Sequence, residues 1–166
     1  MQGIISLSLI SIRAPFREIP RVYMALHLYT SAEPVNCMDD LTVEQVIAFH
    51  KQVIGTDGGD DRLFSEASLH QMVFLANRMD DVHTRAALAL YSLVAYPAFR
   101  DGNGRTAQLV AEMILFNNGY TLEECDDEMT ALVQGILSFT VEQVDVEEWL
   151  RSHVKKTSGH ISFLRG

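Results

Sequence analysis

Pro97-Ala98-Phe99-Arg100-Asp101-Gly102-Asn103-Gly104-Arg105-Thr106-Ala107 separates the two most apolar helical stretches of the chain, and its reading decides the rest. Gly102 and Gly104 flank Asn103, and all three positions tolerate the φ > 0 conformations that turn successive backbone N–H groups toward one point. Such a nest binds anions. A helix begins at once, so its unpaired first N–H groups and its dipole act on the same point and favour phosphate. Arg105 can add a charge-assisted contact from the first turn. Asp101 supplies a hard oxygen ligand of the kind Mg²⁺ uses when it bridges a carboxylate and substrate phosphates. The competing reading of these residues is a plain helix–helix connector in which Asp101 and Asn103 only make turn hydrogen bonds. Other Gly-rich nucleotide loops do not fit: there is no Gly-x-x-x-x-Gly-Lys-Ser/Thr, and no strand precedes a Gly-x-Gly-x-x-Gly.

Working outward, the segment from about His83 to Ala95 is apolar on all sides, as a central helix requires, and Pro97 stops it. The helix after the loop runs from about Gly104 to Asn118, with Ala107, Val110, Ala111, Ile114 and Leu115 inward and Gly119 just past its end. Upstream, Thr42 caps a helix with Val43, Val46, Ile47, His50, Val53 and Ile54 on one face, and Gly55 is expected to end it. The link Thr56-Asp57-Gly58-Gly59-Asp60-Asp61 reads as a turn. A calcium loop counted from Asp57 would need Gly and Glu where Arg62 and Ser68 stand. Ser65 then caps a helix carrying Leu69, Met72, Val73 and Ala76. Two more helices follow at about Asp127 to Leu137 and Val146 to Val154, the last with Asp145 and Glu148 in capping-box spacing and with Trp149 and Leu150 buried. Everything after Asp40 therefore reads as helical. Residues 1–40 hold three of the four prolines and no helical period, so they read as an extended N-terminal arm. The expected fold is an all-α bundle of about six helices over 41–155, followed by a C-terminal tail over 156–166.

At 166 residues and 48% apolar content the chain suits one globular domain with one core. A net charge of −9 argues against sequence-independent binding to nucleic acid or to anionic membranes, which need clustered Lys and Arg. Cys37 and Cys125 lie far apart and form no zinc or disulfide framework, so a reducing, cytoplasmic setting is expected. The apolar opening, Met1 to Ile12, lacks a basic start and is too short to span a bilayer, so no signal peptide is read there.

Phe99-x-Asp101-Gly102-Asn103-Gly104-Arg105 resembles the signature of Fic proteins, His-Pro-Phe-x-Asp/Glu-Gly-Asn-Gly-Arg. Three flanking features are similar to the Doc (death on curing) branch of this Fido family: Leu41 to Val46 leading to Phe49-His50 and Gly58-Gly59, Arg105-Thr106-Ala107, and Asn118-Gly119-Tyr120. The resemblance covers about residues 41–151. It implies that Asp101 holds Mg²⁺, that Phe99, Gly102, Asn103, Gly104 and Arg105 bind the cofactor ATP, and that the three nest residues cradle its phosphates. It further implies AMPylation, a nucleotidyltransferase reaction carrying AMP to a protein hydroxyl, in a toxin-like setting with a separate antitoxin as partner. Doc, known as a kinase, has lysine where Gly104 stands, so Gly104 favours the nucleotidyl-transfer orientation.

The pattern breaks at the family's catalytic histidine, which stands two residues before the motif Phe, where this chain has Pro97. Proline cannot accept a proton. If the loop has gained one residue, Tyr96 stands opposite that histidine instead, and a tyrosine hydroxyl that keeps its proton at neutral pH makes a poor general base. Two functions stay open: transfer of AMP with impaired or altered catalysis, and a catalytically inactive Fic-fold module acting by nucleotide or protein binding. Gln108 stands where many Fic proteins place a second Arg, and no self-inhibitory segment is found, the nearest being Ser138 to Glu142 followed by Gln143. Among the histidines, His50 reads as a satisfied core residue on an apolar helix face, and His83 lies near the far end of the central helix.

Overall fold

The computed structural model describes residues 40–123 and 125–157. The expected N-terminal arm, apart from Asp40, and residues 158–166 of the tail lie outside them. Helix α1 spans Val43–Asp57 and starts on a capping box: Thr42 Oγ1 accepts from Gln45 N at 3.1 Å while Gln45 Oε1 accepts from Thr42 N at 2.9 Å. Gly55 does not end this helix, contrary to expectation. The helix runs on to Asp57, because Thr56 Oγ1 bonds back to Gln52 O at 3.0 Å and the chain turns only at Gly58, whose φ of 80° a side chain would resist. Helix α2, Glu66–Asn77, begins on Ser65 as expected. Asn77 at its end bonds both the N–H and the carbonyl of Leu41 and accepts from the buried guanidinium of Arg85, so it ties the entry of α1 to the centre of the molecule.

Helix α3, Val82–Ala95, is capped by Asp81 and carries an unbroken buried run from Arg85 to Leu90, then Leu93 and Val94. It packs along α4, Asn103–Asn117, and also touches α2, α5 and α6, which makes it the central helix that its all-round apolarity predicts. Helix α5 spans Asp126–Leu137 and α6 spans Gln143–His153. The capping box of α6 lies one turn earlier than expected, with Glu142 as cap and Asp145 reaching back to the Glu142 N–H at 2.8 Å. Val146 and Leu150 are its buried residues, while Trp149 is half-buried.

Two short strands depart from the all-helical reading. Tyr120–Leu122 (β1) pairs antiparallel with Val154–Lys156 (β2), Tyr120 lying opposite Lys156, and Thr157 N continues the ladder to Gly119 O at 2.9 Å. Three residues are too few to show a period of two, and the pairing partner lies at the far end of the domain, so no local signal marks them. The architecture is all-α, six helices with one minimal two-stranded sheet among the described residues. None of these helices is long and apolar enough to cross a membrane.

Candidate functional site

The loop between α3 and α4 is fixed from inside by one amide. Asn103 Oδ1 accepts from Ala98 N (3.1 Å) and Phe99 N (2.9 Å), and its Nδ2 donates to Phe99 O (2.7 Å). The Asn103 side chain is thus spent on shaping the loop, and only its backbone can face a ligand. Beneath the loop, Phe99 is buried and its ring lies flat on His50, centroids 3.7 Å apart at 8°. His50 Nδ1 meets Thr106 Oγ1 at 3.0 Å. The core role expected of His50 holds, and its Nε2 is buried with no well-formed hydrogen bond among the described residues. Burial pushes the His50 pKa down, partly opposed by the nearby carboxylates of Asp61 and Asp101 and the backbone of Asp60, and reinforced by Arg105.

Gly102 adopts the left-handed conformation (φ 69°) and is the cap residue of α4, with no side chain capping the helix. Its own N–H donates to Asp101 Oδ1 at 2.6 Å. The next three N–H groups, of Asn103, Gly104 and Arg105, belong to the first turn and take no partner among the described residues. They open on a cleft of about 420 Å³. One side of this cleft is the polar run Arg100 to Arg105 with Gln108; the other is mostly apolar, formed by Met129, Val133 and Leu137 of α5 with Val94 and Pro97, and also carries Thr130 and Gln134. Gly104 allows the two sides to close up, since a Cβ there would stand 3.2 Å from Val133 Cγ1.

Of the residues singled out from the sequence, Asp101, Gly102, Asn103, Gly104 and Arg105 come together on this cleft. Phe99 supports it from below. Tyr96 caps the end of α3, is 64% exposed and is not among the lining residues, whereas Pro97 is. His83 sits at the other end of α3, edge-on to Tyr120 and beside Arg151.

The α1–α2 link, read from sequence as a plain turn, is packed onto the loop. Arg100 N donates to Arg62 O (3.0 Å), Phe64 N and Ser65 N both donate to Ala98 O, and Leu63 forms a β-bridge with Phe99. Asp57 Oδ2 lies 3.2 Å from Arg105 Nη1, and Gly58 O accepts weakly from Arg105 Nη2 at 3.4 Å. Gly59 (φ 130°) lies directly under the Asp101 carboxylate: a Cβ there would be 2.5 Å from Asp101 Oδ2. The adjacent Asp60 carboxyl is held well below the usual range by the Arg62 side chain that bonds it. The only available sequence signal for these contacts was the Asp57-Gly58-Gly59 triplet; the pairing with Arg105 is too distant along the chain to read.

Among the described residues no three His, Cys, Asp or Glu side chains gather as a metal cluster. The residues that could hold a metal reduce to one half-exposed carboxylate, Asp101, beside the first-turn N–H groups of α4. That is the composition Mg²⁺ accepts only together with phosphate oxygens and water.

Two curated relatives carry the description "Protein adenylyltransferase fic-1". The one from Caenorhabditis elegans is 27% identical over 104 residues, covering 49% of this chain and 20% of that protein. The one from Caenorhabditis briggsae is 27% identical over 103 residues, with the same coverage. The chain thus spans about a fifth of the length of these relatives. Residues 40–115, which contain α1 to α3, the acidic link, the loop and nearly all of α4, match the Fic/DOC family.

Proposed function

We propose that the chain is a Fic/Doc-type protein that binds a nucleotide by its phosphates at the start of α4 and transfers AMP from Mg-ATP to a protein hydroxyl, slowly for want of the motif histidine. The observation that carries this reading is the first turn of α4, with the N–H groups of Asn103, Gly104 and Arg105 unpartnered among the described residues and opening on the cleft. These donors hold the phosphates, Arg105 adds charge, and Asp101 takes Mg²⁺. Mg²⁺ held by Asp101 would supply Lewis-acid stabilisation of the charge that develops on the phosphate. The apolar side formed by Met129, Val133 and Leu137 receives the uncharged part of the ligand and excludes water. The adenylyltransferase activity for which the relatives are named and Gly104, where Doc has lysine, support AMP over phosphate as the group moved. The Doc-like flanks support a cytoplasmic, toxin-type role held in check by a separate antitoxin.

A second reading, a nucleotide- or protein-binding module without catalysis, is favoured by one observation: Pro97, which can accept no proton, occupies the cleft wall while Tyr96 stays off it. Losing a general base typically costs about 10²- to 10⁴-fold in rate while binding survives. Transfer of labelled α-phosphate to lysate proteins separates the two. Pro97→His should raise transfer above wild type if Pro97 holds the base position, and Tyr96→His should do so if the loop has gained a residue. No transfer by wild type or either variant, with nucleotide still bound in calorimetry, favours the binding module. No nucleotide binding by folded protein would remove both readings.

A further inference from the structure

Beneath the loop, His50 meets it at three points. Its ring lies flat on Phe99 with centroids 3.7 Å apart, its Nδ1 meets Thr106 Oγ1 at 3.0 Å, and its Cε1 stands 3.5 Å from where a Cβ on Gly102 would be. Phe99 precedes the polar run and Thr106 follows it. One buried imidazole from α1 therefore holds both ends of the segment that presents the Asn103, Gly104 and Arg105 N–H groups. His50, Phe99 and Thr106 lie under the cleft and not on its lining.

Packing alone does not account for an imidazole here. A phenyl ring would fill the space against Phe99 without the cost of burying polar nitrogens. What the imidazole adds is a partner for the Thr106 hydroxyl. Within a helix a threonine hydroxyl can bond back to a carbonyl of the preceding turn, which tends to bend the helix. Thr56 and Thr130 do this, to Gln52 O at 3.0 Å and to Asp126 O at 2.9 Å. For Thr106 the equivalent carbonyl is that of Gly102, the cap of α4; it accepts from Thr106 N at 2.9 Å, and the hydroxyl turns to His50. Drawing the hydroxyl away keeps the first turn regular, and this is the turn that opens on the cleft. We infer that His50 is a positioning residue for the nucleotide site: its bond to Thr106 holds the first turn of α4 in the shape that receives phosphate, while its ring anchors Phe99 at the other end of the loop. The inference rests on the nucleotide-binding reading above and adds to it a residue that touches no ligand.

The test is calorimetric titration of the whole folded chain with ADP at about pH 7.5, where histidine is mostly neutral. His50→Phe keeps a flat ring and Thr106→Val keeps the side chain's shape; each should weaken ADP binding by about fivefold, the worth of one hydrogen bond. Both remove the same bond, so the double variant should bind about as well as either single one and not about 25-fold more weakly than wild type. Thr106→Ser, which keeps the hydroxyl, should stay within about twofold of wild type. Val146→Ala, at a buried position of α6, which packs mainly against α3, should lower stability and leave the affinity unchanged. Undiminished binding by folded His50→Phe overturns the inference and leaves the nucleotide reading intact. So do equal affinities of Thr106→Ser and Thr106→Val, losses that multiply in the double variant, or a loss in Val146→Ala as large as that in His50→Phe, which would mark a merely structural role. Failure of folded wild type to bind ADP overturns the inference and the nucleotide reading together. Should His50→Phe misfold, the comparison of Thr106→Val with Thr106→Ser decides alone.

Discussion

At the scale of single residues, His50 shows how a core position and a site position can coincide. It was legible as buried, because it lies on the apolar face of α1 with Val46, Phe49 and Val53. Its contacts were not legible, since Phe99 and Thr106 come from the other side of the loop and share no period with it. The consequence is a pH dependence. The folded-state pKa lies below the unfolded value of about 6.5, so the unfolded chain takes up the proton first. Stability from this group is therefore complete above about pH 6.5 and is lost as pH falls below it, by at most about 1.4 kcal/mol per pH unit. His50→Phe keeps a flat ring against Phe99, gives up the bond to Thr106, which is worth about 1 kcal/mol, and removes the titration. Urea midpoints from pH 7 to 5 should show wild type losing stability relative to the variant as pH falls. A constant difference would mean that His50 does not titrate in this range.

At the scale of elements, caps and apolar faces carried most of what the sequence made readable. Thr42, Ser65 and Gly119 each end or start a helix where their chemistry predicts. Gly55 failed as a stop signal because a helix end needs a residue in an unusual conformation, not merely a glycine, and Gly58 meets that need with φ 80°. The two glycines should consequently respond in opposite directions. Gly55 is exposed, sits inside α1 and has open space where a Cβ would go, so Gly55→Ala should stabilise by about 0.5–1 kcal/mol. Gly58→Ala also finds open space but forces a side chain into a positive-φ, extended-ψ conformation that is essentially reserved for glycine, costing about 1–3 kcal/mol. Denaturant midpoints of both variants check the pair. Similar shifts in the same direction would place the end of α1 elsewhere.

At the scale of the whole molecule, the helical bundle was legible and the way its parts close on the loop was not. Periodicity reports which face of a helix is buried, but not which distant segment buries it. The α1–α2 link therefore read as a turn, although it places Asp57 on Arg105, Gly59 under Asp101 and Leu63 beside Phe99. In this arrangement the proposed phosphate site would join three parts of the chain, α1 with its link, the loop and α4, so a ligand bound there would stabilise the fold and not only the loop. A ligand that binds only the folded state adds about 2.7 kcal/mol at a hundred times its dissociation constant. For a chain of this length that corresponds to a rise in melting temperature of roughly 5–10 °C. Arg105→Ala should weaken the ligand and, at the same nucleotide concentration, reduce the rise. Pro97→Ala should leave it nearly unchanged, because Pro97 lines the apolar side and offers the phosphates no donor. Thermal scans of the three proteins with and without saturating ADP make the comparison. An equal rise in all three would place nucleotide binding away from this cleft, whereas a rise lost in Arg105→Ala alone supports a phosphate site at the start of α4.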